Sequence, residues 1–274
     1  MLKKLGEVTI CYCREERIMI SFDAHVHTYP FSQDSHQSIH EVVGSNATSK
    51  YGYVLTEHMD YNYVGKMSFE FSPEEYFKTY LPYRNNRLLL GVEMGLQPDN
   101  LSKVAAAVSK YDFDMVIGSI HCVGGDIAHL EYYDRLHKSE AYTNYLVRIL
   151  ECLEAYHDFD TLGHIDYICR YAPYSDPELH VSEHKAAFVA IFNFLIDHNM
   201  CLEINTRRLD SKVGYETLNE ILRLYAFLGG RLVTVGSDAH KTENIAKNFD
   251  TAEKMILEHG FTPVYFKERK RIEL

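Results

Sequence analysis

The chain has 274 residues, of which 46% are hydrophobic, enough to bury one substantial core, and barrels of this length are commonly single domains. Its net charge of -11 argues against nucleic acid as a partner, because binding a phosphate backbone needs a basic surface. No run of about 18 uncharged apolar residues is present to span a bilayer, and Lys3, Lys4, Arg14, Glu15, Glu16 and Arg17 interrupt any secretory core near the start, so a cytoplasmic enzyme is expected.

Cys11-Tyr12-Cys13 opens the chain with two thiols and no nearby third ligand, which reads as an ordinary strand or ragged start. Cys122, Cys152, Cys169 and Cys201 are scattered without a CxxC pair and read as reduced. The first strand is expected over Ile18 to Ala24, followed by a helix over Ile39 to Lys50 and a strand over Tyr53 to Thr56. Ser72-Pro73-Glu74-Glu75 supplies an N-cap, a first-turn proline and first-turn acids for the next helix. Strands follow over Leu88 to Val92 and Asp114 to Ser119, then a helix over Glu140 to His157 and a strand over Thr161 to Gly163. Ala187, Ile191, Phe194 and Leu195 form an apolar helical stripe after Ser182. The remaining elements are a strand over Leu202 to Asn205, a helix over Tyr215 to Leu228 stopped by Gly229-Gly230, a strand over Leu232 to Gly236 and a helix over Thr242 to His259.

Several of these strands are almost wholly apolar, as strands covered on both faces of a parallel sheet are. Their alternation with helices fits either a (β/α) barrel or an open doubly wound sheet. Neither GxGxxG nor GxxxxGK[ST] occurs, which favours the barrel, short of eight repeats.

Metal-binding residue types recur where these strands end. The first runs into Asp23-Ala24-His25-Val26-His27, whose i, i+2 spacing puts both imidazoles on one side of an extended segment. The second ends in Thr56-Glu57-His58, the third carries Glu93, the fourth ends in His121, the fifth in Gly163-His164 and the seventh in Asp238-Ala239-His240; the sixth is the exception. In parallel α/β barrels the C-terminal strand ends converge on the active site. So many nitrogen and oxygen ligands exceed what one zinc ion requires, whereas two or three ions sharing bridging ligands would use them all. Asp34, in the loop after the first histidine pair, is a further candidate, with ligation slightly favoured over an N-cap role. No GxSxG elbow or recognisable nucleophilic cysteine is present, so the expected nucleophile is a hydroxide on the metals.

These motifs resemble the PHP (polymerase and histidinol phosphatase) superfamily over a stretch from about Ile18 to the C-terminus. Gly118-Ser119-Ile120-His121-Cys122-Val123, Gly163-His164-Ile165-Asp166, Glu203-Ile204-Asn205-Thr206 and Tyr265-Phe266-Lys267-Glu268-Arg269-Lys270 are similar to its stand-alone histidinol-phosphatase branch. The resemblance implies a distorted (β/α)7 TIM-like barrel over residues 19–274, with residues 1–18 as an N-terminal extension. It implies two or three divalent ions (Zn, Mn or Fe): a first held by His25, His27, Glu93 and Asp238, a second by Glu93, His121 and His164, and a third by Asp34, His58 and His240. Glu93, Asp238 and His240 become the candidate catalytic residues.

Arg170, which follows the fifth strand, is the candidate phosphate clamp, and Arg207, in the loop after the sixth, a second substrate-binding candidate. The implied reaction is hydrolysis of L-histidinol phosphate, a small-molecule phosphate monoester. Another phosphate monoester and a noncatalytic metal-binding module are the alternatives. Three divalent cations would add about +6 locally and reconcile an acidic protein with an anionic substrate.

Overall fold

A computed structural model of the chain describes residues 20–65 and 67–273; the Cys11-Tyr12-Cys13 pair and the expected extension over 1–18 lie outside them. Seven parallel strands follow one another in chain order: β1 (Phe22–Val26), β2 (Gly52–Met59), β3 (Leu88–Gly95), β4 (Val116–Ser119), β5 (Thr161–Leu162), β6 (Cys201–Asn205) and β7 (Leu232–Gly236). β1 and β7 meet at their C-terminal ends, where Val26 bridges Ala239 in parallel and the His27 N–H donates to the Ala239 carbonyl at 3.0 Å. The other end of β7 pairs with β8 (Thr262–Lys267), which folds back as antiparallel β9 (Lys270–Glu273). Tyr265 of β8 stacks on Phe22 of β1 at 4.0 Å, so β8 wedges between the first and seventh strands and distorts the barrel there. The expected seven-stranded TIM-like architecture therefore holds, with two strands at the C-terminus that sequence analysis did not assign.

The helices are α1 (Ile39–Val43), α2 (Ala47–Lys50), α3 (Pro73–Tyr80), α4 (Leu101–Lys110), α5 (Lys138–Ala155), α6 (Val181–Asp197), α7 (Lys212–Phe227) and α8 (Phe249–His259). Ser72 caps α3 as expected, accepting the Glu75 N–H. Two expected helices are shorter than their periodicity suggested. Ile39 to Lys50 breaks at Gly44-Ser45-Asn46 into α1 and α2. Thr242 to His259 begins as a 3-10 turn over Thr242–Asn244, and the left-handed backbone of Ala246 and Asn248 delays α8 to Phe249. The first strand also runs later than expected, reaching Val26. No helix among the described residues is long and apolar enough to cross a membrane.

Period-two alternation sorts each strand between two cores. On β3, Leu88, Leu90, Val92 and Met94 face the main core, whereas Leu89 joins Phe22, Ala24, Val54, Met115, Ile117, Cys201, Val264 and Phe266 in a smaller cluster inside the barrel. Leu89, Gly91 and Glu93 thus climb the inner wall, and the interior changes from apolar at its floor to ionisable at the C-terminal strand ends. A register irregularity between Asp23 and Val26 lets His25 and His27 also turn inward; bulges near active sites commonly re-aim side chains in this way.

Asp114, expected as the first residue of the fourth strand, instead ties the barrel floor together. Its buried carboxylate accepts the Arg84 Nη2 and Nε at 2.6 and 2.8 Å, the Leu90 N–H at 2.8 Å and the Glu268 N–H at 3.0 Å. The strand begins two residues later, at Val116. Asp114→Ala strands the Leu90 and Glu268 N–H groups and leaves Arg84 with Glu268 alone, at 3.5 Å. It should cost about 3 kcal/mol, read as a lower urea midpoint with an unchanged slope; a midpoint equal to that of the parent protein would remove this role.

Candidate metal centre

All nine residues singled out as ligands lie at one end of the barrel, around Glu93. Its carboxylate is fully buried and sits 2.7 Å from His164 Nε2, 3.3 Å from His121 Nε2, 3.3 Å from His25 Nε2 and 3.6 Å from His27 Nε2. His27 Nε2 is also 3.5 Å from Asp238 Oδ1. Four trios have ligand atoms that all lie within 4.8 Å of one another: His25, His27 and Asp238; His25, Glu93 and His164; His58, Glu93 and His121; and His27, His58 and His240. The trios share members, so the residues form one continuous cluster. Asp34 reaches it from the loop after β1, with Oδ2 3.0 Å from His240 Nε2 and 3.5 Å from His58 Nε2.

The donor set fits divalent cations because of what it leaves unsatisfied. His25 Nε2, His27 Nε2 and Glu93 Oε2 are buried without hydrogen-bond partners, although they face one another across 3.3 to 3.6 Å. His58 Nδ1 lies 2.8 Å from Glu93 Oε2 but outside hydrogen-bonding geometry. Orphaned polar atoms aimed at a common point are costly unless an ion occupies it, and neutral imidazole with carboxylate is a donor mixture that Zn, Mn and Fe accept alike.

Charge balance points the same way. Burial would raise the pKa of Glu93, but the rings of His25, His121 and His58 outweigh it and hold the carboxylate well below its usual range. For Asp238 burial is likewise outweighed, here by Arg170 and then His25. Burial lowers His27 far below the ordinary histidine value, reinforced by His58 and His240, and it lowers His164. Burial would lower His121 too, yet Asp60 and Glu93 raise it to about 10. A ring that keeps a proton because carboxylates demand positive charge exchanges that proton for a metal ion.

The two arginines occupy different positions. The Arg170 side chain is 7% exposed, donating through Nη1 to Asp238 Oδ2 at 2.6 Å and through Nη2 to Asn205 Oδ1 at 2.9 Å. Two of its donors are therefore engaged by the protein, and it is not the surface ion pair that a lone arginine usually makes. Arg207 is 42% exposed, 3.4 Å from both Asp238 Oδ1 and His240 Nδ1. It lines an open cavity of about 500 Å³ with Asp34, Asp238, His240 and Lys241. Outside the cluster, His184 is buried in α6.

Several residues at the centre went unassigned in the sequence. Glu203 on β6 receives His25 Nδ1 at 2.6 Å and the His164 N–H at 2.7 Å, so the sixth strand contributes after all. Its signal was legible as an acid inside the apolar run Cys201-Leu202-Glu203-Ile204. Asp60 holds His121 Nδ1 at 2.7 Å, Ser119 donates to Glu93 at 2.7 Å, and Ser32 lies 3.2 Å from His27 Nδ1. Asp60 and Ser32 carry no periodicity or motif that marks them in advance, and Ser119 stood inside the Gly118-Ser119-Ile120-His121 motif without a role of its own.

Comparison with known proteins agrees with this geometry. The model of the PHP domain matches residues 23–207, which takes in the site from His25 to Arg207. A probable histidinol-phosphatase of Clostridium acetobutylicum is 40% identical over 90% of this chain and 97% of its own length. The histidinol-phosphatase of Lactococcus lactis is 28% identical over 89% and 93%. A crystal structure of the histidinol phosphate phosphatase from Lactococcus lactis, complexed with zinc, L-histidinol and phosphate, superposes with a TM-score of 0.84 at 27% identity, covering 92% of this chain and 98% of that one. A family model covering most of the chain and a relative matched along nearly its full length lead to one conclusion: the chain belongs to the PHP domain family.

Proposed function

We infer that this protein is a histidinol-phosphatase, hydrolysing L-histidinol phosphate to L-histidinol and phosphate with divalent metal ions held by the cluster around Glu93. The observation that carries the reading is the near-complete structural correspondence with the Lactococcus lactis enzyme, whose structure contains zinc, L-histidinol and phosphate. The relative 40% identical to this chain is named for the same activity.

His25, His27, Glu93 and Asp238 would hold one ion and Glu93, His121 and His164 a second, with Asp34, His58 and His240 completing a third site. Bound there, such cations supply Lewis acidity toward phosphoryl oxygens and a water-derived nucleophile at neutral pH. The protein's own groups do the rest. Glu93, ionised and fully buried, holds the facing imidazoles in one constellation. Arg170 pins Asp238 from behind and fixes the seventh strand end. Arg207, half-exposed over the cavity beside Asp238 and His240, is placed to pair with a phosphate that enters from solvent.

Two measurements test this reading. Purified protein should release phosphate from histidinol phosphate faster than from a panel of other phosphate monoesters. It should lose that activity in chelator and regain it with Zn, Mn or Fe; full turnover in chelator would contradict the proposed role of the metals. Arg207→Met should raise KM about 10- to 100-fold, the worth of a charge-assisted hydrogen bond, while metal content stays at the level of the parent protein. An unchanged KM would take Arg207 out of substrate binding.

A further inference from the structure

We propose that Asp60 is a positioning residue for the metal centre, and that residue 95 is glycine so that Asp60 can act; the inference rests on the reading that the cluster holds metal ions. Asp60 follows the last residue of β2, and Gly95 is the last residue of β3, one step beyond the paired Met59 and Met94. Asp60 Oδ1 lies 2.7 Å from His121 Nδ1. A carboxylate accepts, so Nδ1 carries a proton toward Asp60, which leaves Nε2, 3.3 Å from Glu93 Oε1, as the nitrogen that a metal ion would take. The partner of the non-ligating nitrogen sets which nitrogen is free for metal.

Asp60 gains little for its own stability in this position. Its Oδ2 is buried without a hydrogen-bond partner, a cost that a purely structural carboxylate would avoid. It also reaches His121 only by lying across the face of Gly95. A methyl group built on Gly95 would overlap Asp60, and the three atoms nearest to it all belong to that side chain. Because the colliding atoms end a flexible side chain, the fold can relieve the clash by swinging the carboxylate aside, at the expense of the contact with His121.

The same layout recurs around the barrel. Glu203 holds His25 Nδ1 at 2.6 Å, and a methyl on Gly236 would collide with Glu203 Oε1 and with His25. Ser119 donates to Glu93 at 2.7 Å, and a methyl on Gly163 would strike its hydroxyl. Three strand-end glycines thus vacate the space through which three groups orient His121, His25 and Glu93.

The test is zinc affinity of the full-length protein, measured with zinc alone in competition with a chromophoric chelator, for Asp60→Ala, Gly95→Ala and the double variant. Each single change should weaken zinc binding about 10- to 100-fold. The double variant should be no weaker than Asp60→Ala, because the methyl has nothing left to displace. Asp60→Asn, which keeps an acceptor for the Nδ1–H but not its charge, should fall between the parent protein and Asp60→Ala, and it carries the test if Gly95→Ala does not fold. Unfolding midpoints of the metal-free variants should stay close to that of the parent. Zinc affinity in Gly95→Ala or Asp60→Asn equal to the parent's, or losses that multiply in the double variant, would overturn the proposal. A parent protein that takes up no zinc would overturn the metal reading itself, and this proposal with it.

Discussion

The buried carboxylate of Glu93 is the constraint on which the site depends. It sits at the C-terminal end of the central inner wall, fully excluded from water, with five imidazoles from four other strand ends within 3.6 Å. An uncompensated charge in such a place costs several kcal/mol, so positive charge has to gather around it. Protonated histidines are one source and divalent cations another. The orphaned nitrogens of His25 and His27 favour the second, because protonated rings facing each other would repel while a shared ion satisfies both.

The barrel makes this gathering possible with little local distortion. Alternation along each strand places an apolar floor of Phe22, Val54, Leu89, Met115 and Cys201 beneath a layer of ionisable groups, and parallel pairing brings all the strand ends to one level. The irregularity in β1 is the exception that admits a second histidine from the same strand. Behind the clustered ligand atoms, Asp60, Glu203 and Ser32 reach the outward nitrogens of His121, His25 and His27, and Ser119 reaches Glu93. A phosphatase needs that preorganisation, since an in-line attack tolerates little misplacement of the phosphoryl group.

Much of this was legible in the amino-acid sequence. Strand-end histidines, the i, i+2 pairs at His25/His27 and Asp238/His240, and apolar strands between helical stripes point to a barrel with a clustered ligand set, and the motifs resemble one superfamily. The missing parts share a physical reason. Asp60 and Ser119 act through three-dimensional neighbours rather than through spacing, so a charged residue beyond a strand end looks like any other. Left-handed backbone at Ala246 and Asn248 broke a helix whose hydrophobic period was sound. β8 and β9 were passed over because Thr262 to Glu273 mixes charge with short apolar pairs, and its register depends on the edge of β7 and on Phe22 rather than on its own pattern. Arg170 stood out in the sequence as a candidate phosphate clamp, whereas its engagement with Asp238 and Asn205 required the folded strand ends.

The central claim, that Glu93 is the shared anchor of bound metal ions, is tested most directly by anomalous diffraction at the zinc edge from crystals of the zinc-loaded protein. Peaks are expected on both sides of the Glu93 carboxylate, one bounded by His25, His27 and Asp238 and the other by His121 and His164. Zinc bound elsewhere, with no peak beside Glu93, would contradict it.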